Sequence, residues 1–247
     1  MWIIFAAVVV VLFGGLIYFA SRDAVDVSNI NDKAIVDGDE KSGGIAEHVL
    51  GKKDSKVVLI EYGDYQCPGC GSAHAPIKAV TKKYENKMAF AFRNFPLTTI
   101  HPNARAAAAA AETAGLMGKY WEMHDKLYEN QSEWQSASAN DRTSIFANYA
   151  DTIGLDTDTF TKNLTEKSSQ INQKISFDQA LGKKAGVSGT PTFYLNGKIV
   201  DQQVKDGKLV SAGTEGAEPV WSDQTAFENL ILKPAFKEAG IDISDIK

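Results

Sequence analysis

Two cysteines three positions apart are the residues of this chain with the clearest chemical potential. Cys67 and Cys70 are its only cysteines among 247 residues, and they lie in the stretch VVLIEYGDYQCPGCGSAHAPI. Two thiols at the C-x-x-C spacing can exchange electrons through a disulfide, share a metal ion or form a structural cross-link. The elements around the pair must decide among these chemistries.

A strand followed directly by a helix is predicted to position the two sulfurs. KVVLIEY, residues 56–62, is a β-branched run typical of a buried strand, and residues 70–84 fit an amphipathic helix that Pro76 is expected to kink. Cys67 then lies at the helix N-terminus, where unpaired N–H groups and the helix dipole favour a thiolate. This order makes Cys67 the outer nucleophile and Cys70 the inner thiol that resolves a mixed disulfide.

Three other interpretations of the pair compete with exchange. A zinc site needs four ligands, and only Cys67, Cys70 and His74 lie close together along the chain. The remaining histidines, His48, His101 and His124, are distant in sequence. A structural disulfide here would close too small a loop to constrain the unfolded chain much. Two inert buried cysteines fit poorly with a Pro-Gly pair at the start of a helix.

Glu61 and Pro191 are the other candidates for a role in this chemistry. Glu61 lies in the otherwise apolar strand before the cysteines. It is either an acid at a strand edge facing water, or a partly buried carboxyl with a raised pKa that relays a proton to or from Cys70. Pro191 lies in SGTPTF, residues 188–193, before another strand. A trans proline would be ordinary there, whereas a cis proline would present the preceding backbone to an extended substrate.

Periodicity predicts the remaining elements. A second strand is predicted over 88–95, followed by one long helix over 103–128 and shorter helices over 145–153, 158–164 and 169–185. The Asn196-Gly197 pair predicts a hairpin with a type I′ turn over 190–200, residues 205–222 are predicted as loop, and 224–239 as a closing helix. This order predicts an α/β fold, a mixed β-sheet with flanking helices, interrupted by a helical subdomain at about 100–186.

The N-terminal segment has the composition of a membrane span. Residues 2–20 carry no charged side chain, and this run of 19 residues is long enough to cross a bilayer as a helix. An uncleaved transmembrane anchor is favoured over a signal peptide, because the basic n-region is absent and Tyr18 and Ala20 fit a small-residue cleavage site poorly. Residues 21–44 are predicted as a polar tether, 45–240 as one domain, and 241–247 as a C-terminal tail.

Charge and cysteine count limit the partners. The net charge is −5 and no cluster of lysine and arginine lies beside aromatic residues, which argues against nucleic-acid binding. No spare cysteine exists for a bridge between chains, which favours a monomer. No cofactor and no resident metal are predicted.

These motifs together resemble the DsbA-like thiol-disulfide oxidoreductases of the thioredoxin superfamily, particularly the membrane-anchored Gram-positive and actinobacterial kind. The resemblance covers residues 47–239 and rests on CPGC after a strand, GTPTF before a hairpin, and the segments FRNFPL, HPNARAAAAAAETAG and GKYWEMHDKLYENQ. It implies a thioredoxin-like fold with a helical insertion. The implied catalytic residues are Cys67 as the exposed nucleophile, Cys70, Glu61 and a cis Pro191. The implied substrate-binding residues are Pro68, Gly69, Gly189 and Thr190.

Gly69 departs from the strongest oxidants that this family contains. They carry histidine there, whose charge stabilises the thiolate, so the pair is expected to be a milder oxidant. The residue before Pro191 is Thr190 rather than valine, and a threonine at this position is also seen in reducing and isomerising relatives. His74, one turn after Cys70, either adds positive charge to the site or is a partly exposed helix histidine.

An anchor joined to a single redox pair predicts an enzyme that works outside the cytosol, where disulfides persist. The expected activity is oxidation of cysteines in unfolded exported proteins, with re-oxidation by a membrane partner of the DsbB or VKOR type. A disulfide reductase or isomerase is the alternative within the class. A metal-binding module using Cys67, Cys70 and a histidine is the alternative from another class.

Overall fold

A five-stranded mixed sheet forms the centre of the protein. The computed structural model describes residues 25–211 and 213–246. The strands are β1 (Val49–Gly51), β2 (Val58–Gly63), β3 (Ala89–Asn94), β4 (Thr192–Leu195) and β5 (Lys198–Ile199), in the spatial order β1-β3-β2-β4-β5. The β2 and β3 strands are parallel, and the other neighbouring pairs are antiparallel. The predicted mixed sheet is confirmed.

Helices cover the sheet and fill the connection between β3 and β4. Helix α1 (Pro68–Lys83) joins β2 to β3 and continues through Pro76. The inserted helices are α2 (Ala104–Leu116), α3 (Tyr120–Glu129), α4 (Gln131–Trp134), α5 (Ala139–Thr152), α6 (Thr157–Glu166) and α7 (Ser168–Ala185). After the sheet come α8 (Gln224–Ala226), a π-helical segment (Phe227–Leu232) and α9 (Lys233–Ala239). The predicted fold with a helical insertion is confirmed, and the inserted helices span residues 104–185.

Strand β2 is buried on both faces, which explains its continuous apolar run. On one face Leu59 packs with residues of α1 and of the C-terminal helices, including Ile77 and Phe236. On the other face Ile60 packs with residues of α7, including Leu181. Because helices lie on both sides of β2, the end of this strand and the residues that follow it are held in a fixed position.

Residues 25–44 pack against the domain, so the prediction of a polar tether is wrong for this part of the chain. The buried guanidinium of Arg93 on β3 donates hydrogen bonds to the carbonyls of Asp32 at 2.6 Å and Ala34 at 2.7 Å, and it forms an ion pair with Glu47. A buried charge requires such acceptors. The segment therefore docks where Arg93 needs them, a requirement that its own composition does not reveal.

Glycine-containing turns set the boundaries of several other elements, including two that differ from the prediction. The helix predicted over 103–128 is two helices, because Gly118 adopts a left-handed φ of 79° between α2 and α3. The predicted Asn196-Gly197 turn is confirmed, with φ of 50° and 73°. A second such turn at Asp206-Gly207, with φ of 51° and 70°, was missed in the predicted loop.

The predicted loop over 205–222 contains a small second sheet. Its strands are β6 (Gln203–Lys205), β7 (Lys208–Val210) and β8 (Glu218–Pro219), in the order β7-β6-β8. These strands are too short and too polar to show the alternation by which strands are recognised. Strand β1 is not predicted because its three residues, Val49–Gly51, are too few to show an alternating pattern.

The predicted transmembrane anchor, residues 1–20, lies outside the described residues. In the part of the chain that is described, no helix is both long and apolar enough to cross a bilayer. At the other end, Ile241 and Ile243 of the predicted tail pack against the cluster formed by α1 and the C-terminal helices.

Candidate active site

Cys67 and Cys70 lie where β2 passes into α1. Cys67 is the N-cap residue of α1 and Cys70 lies in its first turn, with Pro68 at a position where a missing N–H costs nothing. Both cysteines are free thiols. Cys67 is 8% exposed and Cys70 is fully buried. The order of an outer and an inner thiol therefore holds, but the expectation of an exposed nucleophile is wrong, because the loop carrying Thr190 lies against the Cys67 sulfur.

The surroundings of Cys67 stabilise its thiolate. A hydrogen bond from the Cys70 thiol is the largest influence, and the Thr190 side chain and the backbone N–H groups of Cys70 and Gly69 add to it. Together they outweigh the cost of burial and lower the pKa of Cys67 from 9.0 to about 5. At neutral pH the outer sulfur is therefore a thiolate, the form that attacks disulfides.

Cys70 has the opposite environment. Complete burial, its hydrogen bond to Cys67 and the nearby Glu61 raise the pKa of the Cys70 thiol well above 9.0. A thiol in this state is protonated at neutral pH and needs a base before it can attack. The two sulfurs of the motif are thus separated in role by their surroundings, as the exchange mechanism requires.

The Thr190–Pro191 segment closes the site from the far end of the chain. Its peptide bond is cis, as the resemblance implies, and the Cys67 sulfur lies 3.3 Å from the Thr190 carbonyl oxygen. Gly69 lies between them: a β-carbon added there would be 3.3 Å from Pro191 Cδ and 3.7 Å from Cys67 Sγ. A side chain at position 69 would therefore adjoin the reactive sulfur. Pro68 is exposed, and Gly69, Gly189 and Thr190 are each half-buried. Of these four residues, Gly69 and Thr190 are shown to adjoin the Cys67 sulfur.

A Thr190→Val variant should raise the pKa of Cys67. The Thr190 hydroxyl is buried without a hydrogen-bond partner, so it is free to donate to the thiolate when Cys67 ionises. Valine keeps the shape and removes this donor. Because one such bond is worth about 1 kcal/mol, we expect the pKa to rise from about 5 to about 6. The ultraviolet absorbance of the thiolate against pH measures it. An unchanged titration would contradict the role of the hydroxyl.

Glu61 is buried next to the cysteine pair. Its side chain is 4% exposed, so the interpretation of a water-facing acid at a strand edge is wrong. Burial, with a smaller contribution from the charge of Cys67, raises the pKa of Glu61 from 4.5 to about 8. The carboxyl is therefore protonated at neutral pH. It also lines a cavity of about 630 Å³ that lies between α1 and α3.

Polar side chains that no sequence motif marks hold the turn before Cys67. Asp64 accepts hydrogen bonds from the backbone N–H groups of Gln66 at 2.7 Å and Leu97 at 2.8 Å, and it contacts His101 Nδ1 at 2.8 Å. Gln131 donates to the carbonyl of Cys67 at 3.0 Å. Polar residues between a strand and a helix are ordinarily solvated, so the sequence carries no signal that Asp64 is buried and hydrogen-bonded.

His74 is neither exposed nor charged, so both predictions for it are wrong. It is 9% exposed and stacks on Tyr128, with 5.1 Å between the ring centroids. Burial lowers the pKa of His74 to about 4, so the ring is neutral at pH 7. Among the described residues, those with metal-ligand spacing combine His74 with His124 and Asp125 and include neither cysteine. The geometry therefore does not assemble the ligand set Cys67, Cys70 and a histidine.

A model of the thioredoxin family matches residues 44–212, which is more than half of the chain. The chain belongs to the thioredoxin family. Within it, the described geometry agrees with a dithiol at a helix N-terminus facing a cis proline. The predicted fold and the resemblance to DsbA-like members of this superfamily are confirmed.

Relatives of this thioredoxin-family chain fall into two groups. Na(+)/H(+) antiporter NhaA 1 of Salinispora arenicola is 37% identical over 152 residues, which are 62% of this chain and 22% of the antiporter. The chain thus spans less than a quarter of the length of that relative. The probable disulfide bond formation protein D of Bacillus cereus is 27% identical over 202 residues, which cover 81% of this chain and 88% of that protein.

A solved structure shares the fold. The oxidised form of BdbD from Bacillus subtilis superposes with a TM-score of 0.59 at 24% identity, covering 85% of this chain and all of BdbD. This likeness extends through the helical insertion as well as the sheet, because it includes most of the described chain.

Proposed function

We propose that this thioredoxin-family protein is an extracytoplasmic thiol-disulfide oxidoreductase that introduces disulfides into exported proteins. The observation that carries the proposal is the stabilised Cys67 thiolate, with its pKa of about 5, beside a protonated Cys70. A stabilised thiolate favours the reduced form of the pair, so the Cys67–Cys70 disulfide readily accepts electrons. This supports oxidation over reduction as the direction of the reaction.

The exchange proceeds in two displacements. A substrate thiolate attacks Cys67 Sγ, forming a mixed disulfide and breaking the bond to Cys70, which leaves with the electron pair. A second substrate thiolate then attacks the substrate sulfur, and Cys67 leaves as a thiolate. The substrate loses two electrons and the enzyme gains them. The low pKa of Cys67 makes it a good leaving group in the second step.

Glu61 supplies the proton that this reaction needs. When Cys70 leaves, its high pKa means that the sulfur must be protonated, and Glu61 carries a proton at neutral pH because its own pKa is about 8. In the reverse direction, when the reduced pair is re-oxidised, the Glu61 carboxylate accepts the Cys70 proton. A buried acid with a pKa near the working pH suits both directions.

Substrate and partners follow from the site and its relatives. Gly69 and Thr190 adjoin the Cys67 sulfur, which supports these two residues, together with Pro68 and Gly189, as the surface that contacts an extended substrate chain. The name of the Bacillus cereus relative, a probable disulfide bond formation protein, supports disulfide formation in cysteine-containing substrates. The predicted anchor at residues 1–20 supports a membrane location and a membrane re-oxidant of the DsbB or VKOR type. We expect the protein to act as a monomer.

An oxidation assay tests the proposal. The oxidised full-length protein, mixed with a reduced unfolded protein, should consume the thiols of that protein in a stoichiometric first turnover, and Cys67→Ser should reduce this rate to background. The redox potential, measured against glutathione, should be less negative than that of thioredoxin, about −270 mV. A potential near that value would assign a reductase instead. Failure to oxidise the unfolded protein would contradict the proposal.

A further inference from the structure

Three side chains between α1 and α3 form a cluster that thiol exchange does not use. His74 lies on α1, and His124 and Asp125 lie on α3; one ligand atom of each lies within 4.8 Å of the others. Asp125 Oδ1 is 3.5 Å from His74 Nε2 and 3.4 Å from His124 Nδ1. In a tetrahedral zinc site with bonds of about 2.0–2.1 Å, neighbouring ligand atoms are about 3.4 Å apart. Both distances match that geometry.

One ligand atom of the cluster is a buried nitrogen that lacks a partner. His74 is 9% exposed and its Nε2 atom, which lies 3.5 Å from Asp125 Oδ1, has no hydrogen-bond partner. Unpaired polar atoms at this depth are rare in folded proteins and require an explanation.

The third ligand is oriented by its neighbours. Lys78 Nζ lies 2.8 Å from Asp125 Oδ2, which leaves Oδ1 directed to the histidines. The lysine charge is itself offset by Glu129, whose Oε1 atom lies 2.7 Å away. Hydrogen-bonded partners of this kind hold ligating carboxylates in place. The three charged side chains Lys78, Asp125 and Glu129 carry a formal net charge of −1, which favours a cation.

The cluster opens onto the cavity of about 630 Å³ beneath the redox site. Glu61, Phe90 and Trp121 also line this cavity. The side chain of Asp125 is 30% exposed, so solvent reaches one edge of the cluster. An ion therefore has a path of entry and a free coordination position facing the cavity, which are the remaining requirements of a three-ligand site.

We propose that His74 Nε2, His124 Nδ1 and Asp125 Oδ1 bind a divalent transition-metal ion of the zinc class, with the fourth position open to the cavity that Glu61 lines. Two nitrogens and one oxygen suit Zn²⁺ and its neighbours in the first transition row, and they suit Ca²⁺ and Mg²⁺ poorly because these take oxygen ligands. The site is separate from the cysteines and does not depend on the proposed oxidase activity.

Zinc titration of the full-length protein in its disulfide form tests this site, because the thiols are then unable to bind the ion. Calorimetry should show one Zn²⁺ per chain, and His74→Asn and Asp125→Asn should each weaken binding at least tenfold. His101→Asn, which removes a histidine outside the cluster, is the matched control and should leave the affinity unchanged. Asp125→Asn conserves shape at a partly exposed position, so it remains informative if His74→Asn fails to fold.

Co²⁺ provides a second measurement on the same protein. Bound in place of zinc, it should give the visible absorption of tetrahedral nitrogen and oxygen ligation, without the sulfur charge-transfer band that thiolates produce. Absence of zinc uptake by the disulfide form, or uptake unaffected by Asp125→Asn, would overturn the proposal. Binding that requires reduced thiols and is lost in Cys67→Ser would assign the ion to the cysteines and overturn it as well. None of these results bears on the oxidation assay.

Discussion

In a Cys70→Ala variant, substrate proteins should accumulate covalently attached to Cys67. The variant keeps the Cys67 thiolate, which attacks a disulfide in a substrate and displaces one substrate thiol, but it lacks Cys70, whose thiol would otherwise attack Cys67 and release the substrate. A well-positioned intramolecular group acts at an effective concentration of about 10⁵ M or more, so external thiols at cellular concentrations replace it poorly. We therefore expect the lifetime of the mixed disulfides to rise by at least about 10³-fold. Non-reducing electrophoresis and mass spectrometry of complexes from the native host measure it.

The matched control is Cys67→Ala. It leaves only Cys70, which is fully buried and whose pKa lies well above 9.0, so it should form no complexes. Equal trapping by both variants would show that the thiols are not divided into an attacking and a resolving sulfur. An absence of complexes with Cys70→Ala would count against exchange chemistry altogether.

Glu61→Gln should make the domain more stable and the enzyme slower. In the folded protein the pKa of Glu61 is about 8, against 4.5 when it is free, so the folded state holds this proton more tightly. The stability that this proton contributes is fully present below pH 4.5, and it is lost progressively as the pH rises from 4.5 through 8. Glutamine does not ionise. The difference in unfolding free energy between the variant and the wild type should therefore grow in favour of the variant by on the order of 3 kcal/mol as the pH rises from 4 to 7.

The loss of activity has a separate cause. Without a carboxyl at position 61, no adjacent acid or base exchanges a proton with Cys70, and general acid-base catalysis of this kind typically contributes about 10²-fold or more. Rapid-mixing kinetics of thiol consumption should show a slower step that involves Cys70. Attack at Cys67, whose pKa is set mainly by Cys70, should change much less.

Urea unfolding at a series of pH values separates these effects. The disulfide form is the protein to use, because the Cys67 thiolate also titrates in the reduced form. Glu85→Gln, which neutralises a half-buried acid that lines the same cavity, serves as the control and should follow the wild-type curve. If the wild-type and Glu61→Gln curves run parallel from pH 4 to pH 9, Glu61 does not carry the raised pKa.

Much of the local structure was accessible from the sequence. Three local elements were correctly predicted: the strand before the cysteines, the helix that begins at them, and the Asn196-Gly197 turn. Each depends on residues adjacent in the chain. The errors share the opposite property. Residues 25–44 pack through Arg93 rather than form a tether, and His74 is buried by α3, which lies about fifty residues further along the chain.

What the sequence determined by itself was the chemistry available: two thiols at the spacing of a reversible disulfide, at the start of a helix, with a proline that the resemblance implied to be cis. The tertiary structure decided how each group behaves. Thr190 reaches Cys67 across 123 residues of chain, and the buried position of Glu61 sets its pKa near 8. Spacing along a chain selects which atoms can react, whereas pKa values depend on desolvation and on partners that only folding brings together.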